Sequence, residues 1–329
     1  MKKNVIFLTG ASGFVGGNLA KLLVEKEYFL RCLIRDKNKF DLKNHPSVEI
    51  IEGDLFSLDK IEKGIKDCDY IIHIAGLVAS KRKKDFFDVN VNGTKNIIDA
   101  ALKNKINLKR FILISSLAAV GPSKNNIPVD ENTIPHPITT YGKSKLAAEN
   151  MLLKEKINLP IIILRPSAVF GENDSATIDF FKMLNYNIFP VMGSFNNKVN
   201  MIYVQDLCNG IILAMENEKS IGETFLIASE NNYSWNEISA NLEKKFGKKF
   251  FKILIPKYLV FILGCISGLI SKLKNKPSVL DCEKAIDLTT KDWSCSNLKS
   301  KSILGFSEKS NLAMNLKNTF DWYKTNKLL

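Results

Sequence analysis

The sequence predicts an α/β fold: a doubly wound parallel sheet in its first half and a smaller mixed lobe in its C-terminal half. Three observations carry that expectation. Short apolar runs alternate with helix-like segments from the N-terminus to about residue 166. A glycine turn sits between the first run and the first amphipathic segment. Glycine, charged and hydroxyl residues recur at the ends of successive runs, which is where ligands bind in open parallel sheets.

The first run is Val5-Ile6-Phe7-Leu8, and Met1-Lys2-Lys3 leads straight into it, which argues against a signal segment. The turn Thr9-Gly10-Ala11-Ser12-Gly13-Phe14-Val15-Gly16 follows, and then Val15, Leu19, Leu22 and Leu23 recur at helical spacing. Strand, tight glycine turn and helix together make a nucleotide site. Gly10 permits the turn, Gly13 admits a pyrophosphate close to the backbone, and Gly16 lets helix and strand pack closely. The helix start, with free N–H groups and the positive end of its dipole, attracts the phosphate. Gly10, Ser12, Gly13, Phe14, Val15 and Gly16 are the candidate cofactor-binding positions of this turn. The second strand, Leu30–Ile34, ends at Arg35-Asp36. An acidic residue at that tip suits the ribose hydroxyls of NAD, and an arginine suits a 2′-phosphate. Arg35, followed by Lys37 and Lys39, favours NADP over NAD, while Asp36 keeps NAD open.

Further strands are expected at Val48–Glu52, Tyr70–Ile74, Arg110–Ser115 and Ile161–Arg165, with a helix over Phe86–Leu102 and another carrying Tyr141. Gly10, Arg35, Asp54, Gly76, Ser116 and Arg165 then converge on the carboxyl edge of one sheet. The dinucleotide-binding domain is assigned to residues 1–166, completed by about 199–228, and the substrate lobe to 167–198 and 229–329. Past Arg165-Pro166 the rhythm breaks. Strands at Val199–Tyr203 and Thr224–Ile227 flank a helix at Val204–Glu216. Ser234 and Glu237 make a capping box for a helix reaching about Phe246, and a last helix covers Lys309–Thr325.

The 329 residues carry 47 Lys+Arg against 34 Asp+Glu, a net charge of +13. The lysines are spread along the chain without interleaved aromatic residues or zinc-finger spacing, so nucleic acid is not an expected partner. No metal site is expected. Six scattered cysteines without a C-x-x-C pair read as reduced, mostly buried thiols of a cytoplasmic protein. Tyr258–Ile270 is uncharged and apolar, but at about 13 residues it falls short of the ~18–20 that span a bilayer. After Pro256 it reads as a helix that is buried, at a subunit interface or in the substrate lobe, with peripheral membrane contact as the lesser alternative. The expected partners are a small-molecule substrate and a second copy of the chain.

Tyr141 and Lys145 lie four residues apart, one turn apart on a single helix face. A free tyrosine titrates near ~10, and a nearby positive charge brings its phenolate within reach. Ser115-Ser116 ends a strand upstream, where a hydroxyl can donate to a substrate oxygen. Ser116, Tyr141 and Lys145 are therefore the candidate catalytic residues.

Taken together the chain resembles the extended short-chain dehydrogenase/reductase family, which includes nucleotide-sugar epimerases and dehydratases. The likeness rests on the turn at 9–16, Gly53-Asp54-Leu55, His73–Gly76, Asn90–Thr94, Ser115-Ser116, Tyr141–Lys145 and Leu164-Arg165-Pro166. It implies a Rossmann fold with Asp54 and Leu55 beside the adenine, Ala75 and Gly76 along the cofactor backbone, and Asn90 ordering the helix behind the site. It further implies Ser116 on the reacting oxygen, Tyr141 as acid/base, Lys145 on the nicotinamide ribose lowering the tyrosine pKa, and Pro166 to Val169 bordering the nicotinamide. Departures stand at Ala119-Val120-Gly121, where many epimerases have Val-Tyr-Gly, and at Tyr203-Val204-Gln205-Asp206, where many have a histidine. No Asp-Glu pair follows Ser116, against 4,6-dehydratase chemistry. Ile253–Leu273, Ala285–Thr289, Trp293–Cys295 and Leu304–Phe306 resemble the 3β-hydroxysteroid dehydrogenase and dihydroflavonol reductase branch. Three functions stay open: an NAD(P)-dependent epimerase or oxidoreductase on a nucleotide sugar or similar substrate, a reductase or dehydrogenase of an apolar alcohol or ketone, and a non-catalytic cofactor-binding sensor.

Overall fold

β1 (Val5–Thr9) is buried at all five positions and is an interior strand of a seven-stranded sheet. The computed structural model describes residues 4–104, 108–274 and 280–329; Met1–Lys3, read above as the approach to β1, lie outside them. After β1 come α1 (Phe14–Glu25), β2 (Phe29–Ile34), β3 (Val48–Glu52), α2 (Leu58–Ile65), β4 (Tyr70–His73), α3 (Lys83–Phe87) and α4 (Gly93–Lys103). They are followed by β5 (Arg110–Ile114), α5 (Thr140–Leu153), β6 (Ile161–Pro166), β7 (Ala168–Phe170), α6 (Ile178–Asn185), β8 (Ile188–Met192), β9 (Lys198–Val199) and β10 (Met201–Tyr203). The chain closes with α7 (Val204–Glu216), β11 (Thr224–Ile227), β12 (Tyr233–Ser234), α8 (Trp235–Phe246), β13 (Phe251–Ile255), α9 (Lys257–Lys274), α10 (Cys282–Thr289), β14 (Asp292–Trp293), α11 (Leu298–Leu304) and α12 (Leu312–Thr325).

The strand order of the large sheet is β3-β2-β1-β4-β5-β6-β11, and every pairing in it is parallel. This is the Rossmann arrangement, in which the order reverses between β1 and β4 and opens a crevice at the carboxyl edge. Because side chains alternate along a strand, Ile6 and Leu8 pack on one face with Leu19, Leu23 and Ile211. Phe7 packs on the other with Ile61, Ile97 and Ala148. Burial on both faces is why these strands read as continuous apolar runs. The smaller sheets are β10-β7, β12-β9-β14 and β13-β8. Around them lies a third core, built from Phe181, Phe189, Leu242, Leu316 and Tyr323.

Several expectations need correcting. The stretch Phe86–Leu102 is helical as expected, but it contains a π-turn at Asp88–Asn92, between α3 and α4, that the sequence did not disclose. The strand at Val199–Tyr203 is divided at Asn200, which is fully buried. Its side-chain amide donates to Ser229 O (3.0 Å) and its Oδ1 accepts from Ser229 N (2.9 Å), so the residue serves a neighbouring loop instead of continuing the strand. The last helix starts at Leu312 because Asn311 caps it, accepting from Met314 N. The capping box of Ser234 and Glu237 is present. Two of the six cysteines, Cys265 and Cys282, form a disulfide between α9 and α10 where reduced thiols were expected; Cys32, Cys68, Cys208 and Cys295 are free and buried. The apolar segment 258–270 is helical but is not buried: most of its large side chains face outward. No helix among the described residues is long and apolar enough to cross a membrane.

Candidate active site

The glycine turn is built as its residue types require. Gly10 has φ +79°, and a Cβ there would lie 2.8 Å from Ala75 N, so the turn after β1 sits directly against the segment leaving β4. A Cβ on Gly16 would lie 2.1 Å from Gly10 O, so only glycine lets α1 start this close to the turn. Gly13 is the N-cap of α1, no side chain caps it, and the first turn carries no acidic residue. The helix start is thus left with N–H groups for an anion. Ser12 and Gly13 line a cleft there with Phe14, Lys21 and Lys39. Phe14 and Val15 pack their side chains on the core beneath. These residues fit a dinucleotide pyrophosphate. The hydroxyls of Ser115, after β5, and Ser167, after β6, are buried without a hydrogen-bond partner.

Arg35 is exposed at the end of β2. Asp36 beside it caps a short turn, accepting from Asn38 N at 3.0 Å, and lies 3.9 Å from Lys39 Nζ. Asp54 is exposed and holds its own turn through Phe56 N (2.9 Å) and Ser57 Oγ (3.0 Å). Leu55 is buried against Gly93. Ala75 N donates to Thr9 Oγ1 at 3.2 Å, and Gly76 follows it at the surface. Pro166 ends β6 opposite Ile227 of β11, and Val169 lies in β7 opposite Ile202.

Asn90, presented by the π-turn and 2% exposed, joins two walls of the site. It accepts from Leu77 N (2.7 Å), and its amide donates to Leu77 O (3.0 Å) and to Ser144 Oγ (2.9 Å) on α5. Beneath it His73 is buried between Thr9 and Thr94. Thr94 Oγ1 donates to Asn90 O and Thr9 Oγ1 accepts from Ala75 N. Those two bonds leave one consistent tautomer, in which Nδ1 accepts from Thr9 and Nε2–H donates to Thr94. Burial, reinforced by the Lys145 charge, pushes this imidazole down to about 3, so it is neutral.

α5 delivers Tyr141 and Lys145. Thr139 caps it by accepting from Gly142 N at 3.1 Å. Gly142 has a second role that the sequence did not disclose. A Cβ there would lie 2.2 Å from Ala118 O, so glycine is what lets α5 press onto the turn following Ser116. Ser116 caps that turn through Ala118 N (3.1 Å) and is hydrogen-bonded with Tyr141. Phe86 packs edge-on to the tyrosine ring, with centroids 6.3 Å apart. Burial pushes the Tyr141 phenol up to about 12, the Ser116 hydrogen bond opposes this, and the Asp287 carboxylate adds to it. Lys145 Nζ donates to Ile114 O at 2.7 Å. Burial lowers its pKa to about 8, with Glu149 opposing. The rise at Tyr141 thus comes first from desolvation, and the one opposing influence is the Ser116 hydrogen bond rather than the Lys145 charge.

Two carboxylates were missed at the sequence level. Glu149, one further turn along α5, is fully buried and holds Arg165 in a two-pronged pair at 3.0 and 2.7 Å. The repeat Tyr141, Lys145, Glu149 was the signal that could have found it. Glu283 of α10 accepts from Thr140 N (2.6 Å) and Thr140 Oγ1 (2.8 Å) and pairs with Lys83. It places negative charge on the start of α5. Burial alone would raise its pKa, but Lys83 and Thr140 bring it below the usual value.

Comparison with known proteins bears on the family and the fold. Residues 6–228 match the model of the NAD dependent epimerase/dehydratase family. A ceramide reductase of Caulobacter vibrioides is 29% identical over 98% of this chain and 95% of its own length. The N-acetyl-α-D-glucosaminyl-diphospho-ditrans,octacis-undecaprenol 4-epimerase of Escherichia coli O157:H7 is 28% identical over 84% of this chain and 82% of its own. Among solved structures, a UDP-glucuronic acid 4-epimerase from Bacillus cereus, in complex with UDP-glucuronic acid and NAD, superposes with a TM-score of 0.78. It covers 98% of this chain and 99% of that one at 22% identity, a likeness of fold.

Proposed function

The chain belongs to the NAD dependent epimerase/dehydratase family, and we propose that it interconverts a secondary alcohol and a ketone on a nucleotide sugar or a similar small substrate. The observation that carries the reading is the meeting of Ser116, Tyr141 and Lys145 at the carboxyl edge of the sheet, on the same edge as a turn fitted to a dinucleotide. A bound nicotinamide supplies the acceptor and donor of hydride at the substrate carbon. In the oxidising direction the Tyr141 phenolate takes the hydroxyl proton as the C–H bond breaks and a carbonyl forms; in the reverse direction the phenol returns that proton to the oxygen. Ser116 Oγ donates to the same oxygen and holds it against Tyr141. The phenol works as a base only with positive charge beside it, and Lys145 is the residue of this chain one helical turn away to supply it. Asn90 and Glu283 position α5 and its tyrosine.

Tyr141→Phe tests the assignment. Turnover should fall by roughly 10²–10⁴ while cofactor binding stays; unchanged turnover on an identified substrate would remove Tyr141 from the chemistry. Steady-state absorbance separates the reaction types, because an epimerase regenerates its cofactor and a dehydrogenase consumes it in step with product.

For the cofactor, the reading favours NADP over NAD. Arg35 is exposed at the β2 tip, and Asp36 is engaged by Asn38 and Lys39. Arg35→Asp should weaken NADP far more than NAD, and equal losses would sink the 2′-phosphate argument. A second substrate reading, an apolar alcohol or ketone, draws support from α10. That helix abuts the start of α5 through Glu283 and is fastened to the apolar helix α9. Thermal-shift screening of nucleotide sugars against sterol-like ketones, with cofactor present, divides the two.

A further inference from the structure

α9 is amphipathic in an inverted sense. The positions it turns toward the protein include Val260, Gly264, Cys265 and Gly268, all small or medium, whereas Phe261, Ile262, Leu263, Ile266, Leu269 and Ile270 are exposed. Gly264 seats the helix on α10, since a Cβ there would lie 2.6 Å from Asp281 O. Tyr258, at 65% exposure, stands at the head of the helix, and Leu269, at 61%, lies near its far end. The strand leading into it, β13, leaves Phe251 71% exposed and Leu254 also outside. Monomeric soluble proteins rarely leave so many large apolar side chains contiguous on one element, and such a patch marks an interaction surface.

The charge around this patch names its partner. Between Glu243 and Asp281 the sequence holds nine lysines and no Asp, Glu or Arg, so most of the chain's net charge of +13 is concentrated here. Lys244, Lys245 and Lys257 are exposed, as are Lys249 and Lys252, which pair with Glu243 at the segment's start. A twofold contact between copies sets the same patch against itself, which would bring lysine against lysine. An anionic lipid surface satisfies both features at once: the acyl boundary takes the large apolar side chains and the headgroups take the ammonium groups. A helix of 18 residues lying in the surface plane offers about 27 Å of contact.

We propose that α9 and the lysine-rich segment 244–257 dock this protein peripherally on an anionic bilayer. Docking there brings α10, and with it the Tyr141 end of α5, to the lipid surface, because Glu283 of α10 holds Thr140 and the Cys265–Cys282 disulfide fastens α10 to α9. The proposal stands whichever substrate the site takes.

The test is flotation of the full chain with vesicles of phosphatidylcholine alone or mixed in equal parts with phosphatidylglycerol. Binding is expected to the anionic vesicles and not to phosphatidylcholine alone, with a marked loss in high salt. The exposed double substitution Phe261→Asp/Leu269→Asp should lower the bound fraction by about tenfold or more at an unchanged melting temperature. Lys244→Gln/Lys245→Gln/Lys257→Gln, which leaves the apolar face intact, should lower it in low salt and should diminish its salt dependence. Absence of binding to anionic vesicles overturns the proposal, as does equal binding of all three proteins. A dimer that Phe261→Asp/Leu269→Asp dissolves, in a chain that ignores vesicles, assigns the face to a second copy and overturns it too.

Discussion

Glu149→Gln tests how far α5, which carries Tyr141 and Lys145, depends on a charge pair hidden behind it. The carboxylate is fully buried, the Arg165 guanidinium is 8% exposed, and the two share bonds of 3.0 and 2.7 Å. Glutamine keeps the shape and one acceptor but leaves a buried arginine without a counter-charge. Removing one partner of such a pair costs about 3–5 kcal/mol. In a chain of this size that lowers the melting temperature by on the order of 10 °C. Removing both charges with apolar residues, Glu149→Leu/Arg165→Met, leaves no orphaned ion, so the double variant should be more stable than Glu149→Gln. The same substitution removes the carboxylate that opposes the lowering of Lys145, whose pKa is already about 8. Lys145 should then discharge at lower pH, and each unit of that displacement is about a tenfold change in its charged fraction once the pH exceeds its pKa. Calorimetry gives the first quantity, and cofactor affinity measured from neutral to alkaline pH gives the second. If Glu149→Gln melts with the parent, or the double variant is the less stable of the two, the reasoning from an uncompensated buried charge fails.

The remaining predictions are read by similar means. Gly16→Ala places a methyl group 2.1 Å from Gly10 O, so it should abolish the stabilisation that NAD(P) confers on thermal melting. Gly247→Ala, where a Cβ meets nothing within 4 Å, should leave that stabilisation intact; equal behaviour of the two would refute the close-packing argument. His73 has a folded pKa of about 3 against 6.5 ordinarily, so on acidification the unfolded chain takes up the proton first. Its contribution is fully present above 6.5 and is lost as pH falls toward 3, at up to about 1.4 kcal/mol per pH unit. Urea midpoints should fall more steeply below pH 6.5 in the parent than in His73→Asn, and parallel curves would mean the ring is not held neutral.

The first half was legible because parallel strands covered on both faces are written as unbroken apolar runs, and Val5–Leu8, Phe111–Ile114 and Ile161–Leu164 are such runs. The glycine turn was legible because steric demand at Gly10 and Gly16 admits no other residue. In the second half, strands of two or three residues such as β9 and β12 are set by tertiary contacts and leave no period to read. β8, which contains Pro190, is likewise invisible to pattern. The π-turn before α4 changed the phase of an otherwise helical stretch without altering its composition. In the site, Tyr141 and Lys145 could be found from a four-residue step. Glu283 could not, because it reaches Thr140 from 143 residues away.

β11 pairs with β6, so the edge of the main sheet is closed by a strand that emerges only after residues 167–223 have been made. During synthesis, β6 therefore waits with one row of amides and carbonyls open to any passing strand. A fragment ending at Pro166 would hold the glycine turn, Ser116, Tyr141 and Lys145, yet would keep that open edge permanently. Such a truncation should aggregate instead of behaving as a portable cofactor-binding unit, and the safer place to cut or fuse is beyond Ile227.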